Sequence, residues 1–367
     1  MMKIGILTFH RALNYGAFLQ AYATKSFLRS KGYDVEMVDY WPKAHADYVN
    51  RRKLTANTWI GKLKQFFFHA LNTPLFLKRR HKMNQLRRQY FGVGSTPLYK
   101  TGEELRTTDY DVVVYGSDQI WWNHAVYSSK IEYDKTYWGY YLPGKTKRIA
   151  YAPSMGIIDI HEEDKDFIRK SLKNFNRLST RETSLREALL PYTDKEIITV
   201  LDPVFLPEKD FWIQQVLPRQ IKDPYLLYYS LIPSKESYSH AVQLAKAKGL
   251  KFVEVAAKVR SFRPSPDLIQ TADAIEFLSL IYHADYVVST SFHGTAFSII
   301  LEKEFCVVGL GKQSGRVVSL LAQLGLDNRF TDNPYALDTI DYTAVRERLN
   351  KLQHTSRNYL LSALTKE

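Results

Sequence analysis

With 367 residues, the chain is long enough to form two domains that each bury a core. Its 45% hydrophobic and 24% charged residues exclude a disordered chain, its single cysteine excludes an internal disulfide, and no run approaches the ~20 apolar residues of a membrane span. Because the start of the chain lacks the apolar core of a signal peptide, we expect a cytoplasmic protein, at most peripheral to the inner membrane face. The net charge of +13 indicates an anionic partner.

The first half of the chain alternates short apolar strands with helices. The sequence predicts a strand over residues 3–9, a helix over 17–29 that Gly32 ends, and a second strand over 35–39. Further buried strands are predicted at 112–115, 148–152 and 177–180. This alternation indicates a parallel sheet that is covered by helices.

A basic insert at about residues 48–102 interrupts this alternation. It holds twelve Lys or Arg residues and no Asp or Glu, so subtracting twelve from the net charge of +13 leaves about +1 for the rest of the chain. Several apolar side chains of the insert fall on one face of a predicted helix that ends at Pro74, whereas Lys62 and Lys64 lie off that face.

Two interpretations of the basic insert stay open. In one, residues 51–90 contact an anionic membrane peripherally through an amphipathic helix. In the other, the helix packs on the first domain and its charges are solvated. Nucleic acid is not an expected partner, because no recognised binding module accompanies the charge.

After Asp202-Pro203 the alternation restarts. It predicts strands at residues 225–231, 251–256 and 286–289 and helices at 234–248, 273–283 and 294–302. We therefore predict an α/β protein of two doubly wound Rossmann-like domains, residues 1–210 and 211–367, that face each other across a cleft. This layout is similar to that of the two-Rossmann-domain (GT-B-like) glycosyltransferases, with ligands beyond the carboxyl ends of the strands. The last helix, about 342–366, could pack on either domain, including back on the N-terminal one.

Polar residues follow three of the predicted strands. In the first group, residues 115–121, Gly116 and Ser117 allow backbone amides to approach a ligand, and Asp118 could accept a proton or bind a sugar hydroxyl. A helix cap would explain the same residues equally well. In the second group, residues 179–183, the Arg181 guanidinium suits a phosphate or a carboxylate, but it could instead pair with Glu182.

The third group, residues 284–297, is the most informative. It predicts a strand whose end brings Ser291 and His293 to the start of a helix. A helix N-terminus offers unpaired amides and positive potential to an anion, and Gly294 leaves room for close approach. His293 could protonate a substrate there. Arg316, after Ser314-Gly315, opens another predicted helix and is a second candidate for binding an anion.

Several familiar signatures are missing from the sequence. It has no Cys- or His-rich metal spacing, no phosphate-binding P-loop, no Gly-x-Ser-x-Gly nucleophile elbow, and no Gly-x-Gly-x-x-Gly after the first strand. Metal-dependent, NTPase, serine-hydrolase and dinucleotide-binding functions are therefore disfavoured.

An ordered set of short motifs resembles the polysaccharide pyruvyltransferase family. Each motif is short, but their order is specific, and the resemblance covers about residues 3–330 without the basic insert. The motifs are Asn14-Tyr15-Gly16-Ala17, Gly116-Ser117-Asp118-Gln119-Ile120-Trp121, Ser179-Thr180-Arg181-Glu182, Leu201-Asp202-Pro203, Ser291-Phe292-His293-Gly294 and Gly315-Arg316.

The resemblance implies transfer of the enolpyruvyl group of phosphoenolpyruvate to a glycan as a ketal, with no other cofactor and no metal. The acceptor could be carried on a lipid diphosphate. The implied catalytic residues are His293, as general acid, and Asp118. The implied donor-binding residues are Arg181, Arg316, Ser291 and Gly294, and the implied acceptor-binding residues are Asn14, Gly16, Ser117 and Gln119.

Two other functions stay open from the sequence. The nearest is a nucleotide-sugar glycosyltransferase, which would need an acidic residue such as Glu302 for the ribose. The other is a non-catalytic partner of a glycan-assembly complex that docks through the basic insert.

Overall fold

The computed structural model describes residues 1–50, 58–123, 133–231, 234–260, 267–309, 315–331 and 333–365. Within these residues the chain forms parallel sheets that are flanked by helices, which confirms the predicted α/β class. Among the described helices, none has the length and apolar character to cross a bilayer.

The N-terminal half is built on a sheet of four parallel strands in the order β2-β1-β3-β4. A bridge between Ile149 and Arg177 continues it into the parallel pair β5-β6. The elements are β1 (Lys3–Leu7), α1 (Tyr15–Ser30), β2 (Asp34–Met37), α2 (Lys43–Asn50), α3 (Trp59–Leu86), β3 (Val112–Tyr115), β4 (Lys147–Ala150), α4 (Lys165–Leu172), β5 (Leu178–Thr180), α5 (Thr183–Leu189), β6 (Ile197–Thr199) and α6 (Lys209–Ile213).

The C-terminal half has a parallel sheet in the order β11-β10-β7-β8-β9. Its elements are β7 (Tyr225–Ser230), α7 (Lys235–Ala247), β8 (Lys251–Ala256), β9 (Leu268–Ile269), α8 (Ala274–His283), β10 (Tyr286–Ser289), α9 (Phe292–Ile300), β11 (Phe305–Val307), α10 (Gly315–Leu324) and α11 (Tyr342–Leu364). Strands β7 and β10 are buried along their whole length, as expected when helices cover both faces of a sheet.

In both sheets the direction of winding reverses at one place, between β1 and β3 and between β7 and β10. Loops diverge at such a point and leave room for a ligand beyond the carboxyl ends of the strands. Across the two halves, Tyr15 at the start of α1 stacks on Phe277 of α8, with ring centres 4.7 Å apart. The two reversal points are therefore brought together by a shared apolar core.

Helix α11 contacts the N-terminal half of the molecule. The Tyr359 hydroxyl donates to the carbonyl of Ala150 (2.8 Å), at the end of β4, and Gln353 donates to the carbonyl of Phe205 (2.9 Å). Both side chains are buried, so these contacts tie the last helix to the end of the first sheet.

The prediction that the helix of the basic insert ends at Pro74 was wrong. Helix α3 runs through this residue to Leu86. Proline removes one backbone donor from the helix, but nearby side chains bind carbonyls of the preceding turn. Asn72 donates to the carbonyl of Phe68 (2.8 Å) and Thr73 donates to that of His69 (2.8 Å). The second half of α3 is also held by buried contacts, which a local reading of the sequence could not include.

Candidate active site

His293 lies in the first turn of α9, where the two halves of the molecule meet. Its ring rests on Gly16, in the first turn of α1: a Cβ atom on Gly16 would lie 2.0 Å from His293 Nδ1. Only glycine at position 16 permits this approach, because any side chain would occupy the place of the imidazole. The N-termini of two helices, one from each half, therefore converge on His293, which is 7% exposed.

Asp202 is the buried carboxylate at the centre of the site. Its Oδ2 accepts from Arg181 Nη1 at 2.8 Å and from the Ser117 hydroxyl at 3.2 Å, and it lies 3.7 Å from His293 Nε2. Burial disfavours the ionised carboxylate, but the adjacent His293 and Arg181 outweigh it, so the pKa of Asp202 lies below its usual range. Asp202 is therefore an anion that can hold both the imidazole and the guanidinium in place.

Arg181 follows β5 and is almost fully buried. Besides Asp202, it binds Glu182 through Nε (3.2 Å), and its guanidinium carbon lies 4.7 Å from the ring centre of Phe292. Burial alone would lower the pKa of Arg181, but the carboxylates of Glu182, Asp202 and Asp118 raise it above the usual value. Arg181 is thus a permanent cation in the floor of the site.

Arg316, at the start of α10, brings a second guanidinium to the site. When the Gln119 amide is oriented with its oxygen toward Arg316, this oxygen accepts from Nη1 at 3.0 Å and from Nη2 at 2.9 Å. Burial and the neighbouring Arg181 lower the pKa of Arg316 to about 10. A second cation close to Arg181 is unfavourable by itself, and an anionic ligand would relieve the repulsion.

Five buried polar atoms of this site have no hydrogen-bond partner among the described residues: Arg181 Nη2, Glu182 Oε2, Arg316 Nε, Ser291 Oγ and His293 Nε2. Ser291 stands at the N-cap of α9, yet its side chain does not cap the helix. Buried polar groups are almost always paired in proteins, so several unpaired ones in one place indicate a ligand-binding site. Two guanidinium groups and a helix N-terminus select an anion.

The loop after β3 borders the site from the N-terminal half. Gly116 has φ +117°, and a Cβ atom there would lie 2.1 Å from the carbonyl oxygen of Tyr151. Asp118 also has a positive φ, +75°, and its carboxylate accepts from the amide of Gln119 (2.8 Å). A non-glycine residue in this backbone region costs free energy and is found most often at functional sites. Asp118 and Gln119 remain partly exposed.

Other predicted site residues contact the backbone and side chains that surround the site. Ser117 has no exposed surface, and its hydroxyl donates to the carbonyl of Ala152 (2.7 Å) as well as contacting Asp202. Asn14 caps α1, since its side-chain oxygen accepts from the amide of Gly16 (2.8 Å). A Cβ atom on Gly294 would lie 2.2 Å from Ser289 Oγ. The structure thus brings all ten predicted residues to one region, and their individual roles stay predictions.

The sequence analysis assigned no role to Asp202, although this residue lies within one of the motifs. The available signal was a carboxylate directly after an apolar segment, at residues 197–201, in the order Leu201-Asp202-Pro203. An unpaired Asp is rarely buried, so this position predicts a charged partner but does not say which one. Only the fold shows that the partners are Arg181 and His293.

The fold and the site define an α/β protein with two Rossmann-like halves and a buried, charged site between them. A sequence model of the polysaccharide pyruvyl transferase family matches residues 14–311. The chain belongs to this family, which is a family of transferases. No curated protein matches the sequence.

Solved structures similar to this chain include enzymes that act on sugar nucleotides. UDP-GlcNAc 2-epimerase from Neisseria meningitidis, bound to UDP-GlcNAc, is 10% identical, with 100% of this chain and 95% of that chain covered and a TM-score of 0.45. The corresponding epimerase from Methanocaldococcus jannaschii is 12% identical, with 98% and 93% covered and a TM-score of 0.41. Escherichia coli heptosyltransferase WaaC, with ADP-2-deoxy-2-fluoro heptose, is 10% identical, with 84% and 88% covered and a TM-score of 0.35.

Proposed function

We propose that the protein transfers the enolpyruvyl group of phosphoenolpyruvate to a sugar, as a pyruvate ketal, in the biosynthesis of a surface polysaccharide or exopolysaccharide. The observation that supports this function is the set of unpaired buried polar atoms on Arg181, Arg316, Ser291 and His293. Phosphoenolpyruvate carries a phosphate and a carboxylate next to a carbon that must be protonated. Two cations, a helix N-terminus and an imidazole match these three requirements.

The reaction begins with protonation of the terminal methylene carbon by His293, which creates oxocarbenium character at the adjacent carbon. A sugar hydroxyl attacks this carbon and releases its proton to a base, for which Asp118 is the candidate. The carbon–oxygen bond to phosphate then breaks, and a second hydroxyl of the same sugar closes the ketal. Of the two protons that the hydroxyls release, one restores the proton that His293 gave and the other protonates the departing phosphate. The reaction therefore needs no oxidant or reductant.

The residues divide between donor and acceptor. Arg181 and Arg316 neutralise the phosphate, whose charge increases as it departs. Asp202 holds Arg181 at 2.8 Å and stands 3.7 Å from His293 Nε2, which positions a cation and a proton donor on one carboxylate. Asp118 and Gln119, which are partly exposed, bind the acceptor hydroxyls in this proposal.

A nucleotide-sugar glycosyltransferase is less well supported. Glu302, its candidate for binding a ribose, forms ion pairs with Lys209 (2.6 Å) and Arg346 (3.5 Å). Both oxygens of the carboxylate are thus engaged by cations at the far end of α9, away from the unpaired atoms at its start.

The proposed function is tested by measuring phosphate release from phosphoenolpyruvate with a panel of free and lipid-linked glycans. We expect turnover with the correct acceptor and a loss of about 10²- to 10⁴-fold in His293→Ala, the range for removal of a general acid. His161→Ala, an exposed histidine, is the matched control and should keep the wild-type rate. Wild-type turnover in His293→Ala would refute the general-acid role, and thermal stabilisation by nucleotide sugars alone would favour the glycosyltransferase.

A further inference from the structure

Helix α3 carries an exposed apolar face, most of it in the first half of the helix. Its members recur at helical spacing, and large parts of their surfaces are exposed: 76% of Trp59, 56% of both Phe66 and Phe67, and 51% of Leu77. Ile60, Leu63 and Leu71 extend the same face and are also exposed. A soluble protein seldom exposes a contiguous apolar strip of this size unless another surface covers it.

The second half of α3, from Asn72 onward, binds the body of the protein. Arg79 is buried and donates to the carbonyls of Ala256 (3.1 Å) and Leu13 (3.2 Å), which belong to different halves of the molecule. Lys82 forms an ion pair with Glu276 at 2.6 Å. The second half of α3 is therefore held by these polar contacts and by Met83, which is buried in the core, whereas the apolar side chains of its first half are exposed.

Positive charge flanks the apolar face. Lys62, Lys64 and Lys78 are exposed, and residues 48–102 contain no Asp or Glu. At 100° per residue, Lys62 lies on one side of the apolar face and Lys64 on the other, and Lys78 lies on the face itself, in line with Ile60. A lysine in this position can extend its ammonium toward an anionic surface while its methylene stem stays in contact with apolar groups.

We propose that α3 docks the protein on an anionic lipid bilayer, with its apolar face in the interfacial layer and its lysines among the headgroups. Aromatic and aliphatic side chains opposite a polar face, with flanking lysines and no acidic residue, are the features of helices that lie in a membrane interface. Protein partners with an acidic, apolar groove would satisfy the charges, but a bilayer needs no groove and suits an apolar face that is exposed on a convex helix. This docking does not depend on the proposed transferase activity.

The position of α3 relates the docking to the candidate active site. Arg79 binds the carbonyl of Leu13, the residue before Asn14, and Asn14 caps the helix on which His293 rests. A membrane-bound α3 therefore holds the site next to the lipid surface. This arrangement suits a glycan acceptor that is carried on a lipid diphosphate, a deduction that does rest on the proposed function.

The docking is tested by co-sedimentation of the full chain with vesicles of phosphatidylcholine alone and of phosphatidylcholine mixed with phosphatidylglycerol. We expect binding to the mixed vesicles, weakening with added salt. The triple variant Trp59→Ser, Phe66→Ser, Phe67→Ser should bind at least about 10-fold more weakly, and so should Lys62→Ala, Lys64→Ala, Lys78→Ala. Arg79 is left intact, because its guanidinium is buried.

The matched controls place equivalent changes elsewhere on the surface. Leu190→Ser removes another exposed apolar side chain, and Lys222→Ala, Lys235→Ala, Lys246→Ala removes three other exposed lysines. Both controls should bind as the wild type does. Brominated lipid should quench the fluorescence of Trp59 in the bound protein, and a Trp59→Phe variant should lose that quenching while it still binds.

Three results would overturn the proposal: no binding of the wild type to mixed vesicles, binding that is unchanged in both triple variants, or a dimer in solution that the serine triple variant converts to a monomer. The last would identify a second copy of the chain as the partner of α3. Phosphate release with a soluble acceptor is measured in parallel, so that failure of the docking is distinguished from failure of the proposed function.

Discussion

At the scale of single residues, Gly16 and Asp202 determine how His293 is presented. Gly16 supplies the space for the imidazole, and Asp202 supplies a negative charge 3.7 Å from Nε2. Neither residue is reactive by itself. Their effect is to restrict a side chain that would otherwise sample several rotamers, and such restriction makes a general acid effective.

Gly16→Ala tests this arrangement. The new methyl group would lie 2.0 Å from His293 Nδ1, so the ring must move. We expect phosphate release to fall about 100-fold, in line with the effect of a displacement near 1 Å in an active site. Alanine favours a helix over glycine by about 1 kcal/mol, so the loss of stability should be small.

The matched control for this substitution is Gly144→Ala. An added Cβ atom at Gly144 meets no atom within 4 Å, and both activity and stability should be preserved. If Gly16→Ala kept the wild-type rate while its melting temperature was also unchanged, the position of His293 seen here would not be the reactive one.

At the scale of elements, α11 supports the segment that carries Asp202. The buried Ser356 hydroxyl accepts from the backbone amide of Leu201 (2.9 Å), directly before Asp202. A helix from the end of the chain thus satisfies a backbone donor next to the centre of the site. This contact explains why α11 belongs to the functional unit although it contributes no side chain to the site.

Ser356→Ala should therefore destabilise the protein. Removal of the hydroxyl leaves the buried amide of Leu201 without its partner, and such a donor costs about 1–3 kcal/mol. Urea unfolding followed by tryptophan fluorescence measures the change. Thr355→Ala, on the exposed side of the same turn, should change the free energy of unfolding by less than about 0.5 kcal/mol. Equal unfolding midpoints for the two variants would contradict the supporting role of Ser356.

At the scale of the whole molecule, the buried carboxylate of Asp39 should make the free energy of unfolding decrease at acidic pH. Asp39, at the carboxyl edge of the first sheet, accepts from His10 at 3.0 Å and from Arg11 at 2.5 Å. Burial opposes ionisation, but the bonds from Arg11 and His10 dominate and lower the pKa of Asp39 to about 2. A carboxylate with a depressed pKa in the folded state stabilises the fold above its unfolded pKa, and this stabilisation is lost as the pH falls through the folded value.

The comparison of wild type with Asp39→Asn tests this dependence. From the shift of Asp39, we expect the advantage of the wild type in the free energy of unfolding to be complete above about pH 4 and to decrease by roughly 2 kcal/mol toward pH 2. Urea titrations at closely spaced pH values measure both proteins. A difference that stays constant between pH 5 and pH 2 would show that Asp39 is not held as an ion by Arg11 and His10.

Most of the elements could be predicted from local pattern. Strands such as Val112–Tyr115 and Lys251–Ala256 have the predicted bounds, because a short apolar run between polar turns has few other ways to bury its side chains. Local pattern failed at Pro74, because the second half of α3 is held by contacts of Arg79 and Lys82 with residues far away in the chain. The candidate residues could be found from the motifs. The pairing of Asp202 with Arg181 could not, because it joins two different loops and has no signal in the local sequence.

The sequence by itself determined the α/β class, the alternation of strands and helices, and the family, because these depend on periodicity and on short motifs. The tertiary structure decided what surrounds His293: a glycine from the first half of the chain and a carboxylate from the end of that half. It also decided that the apolar face of α3 is exposed. A helical pattern specifies that apolar residues share a face, but only the packing of the whole chain specifies whether that face is covered.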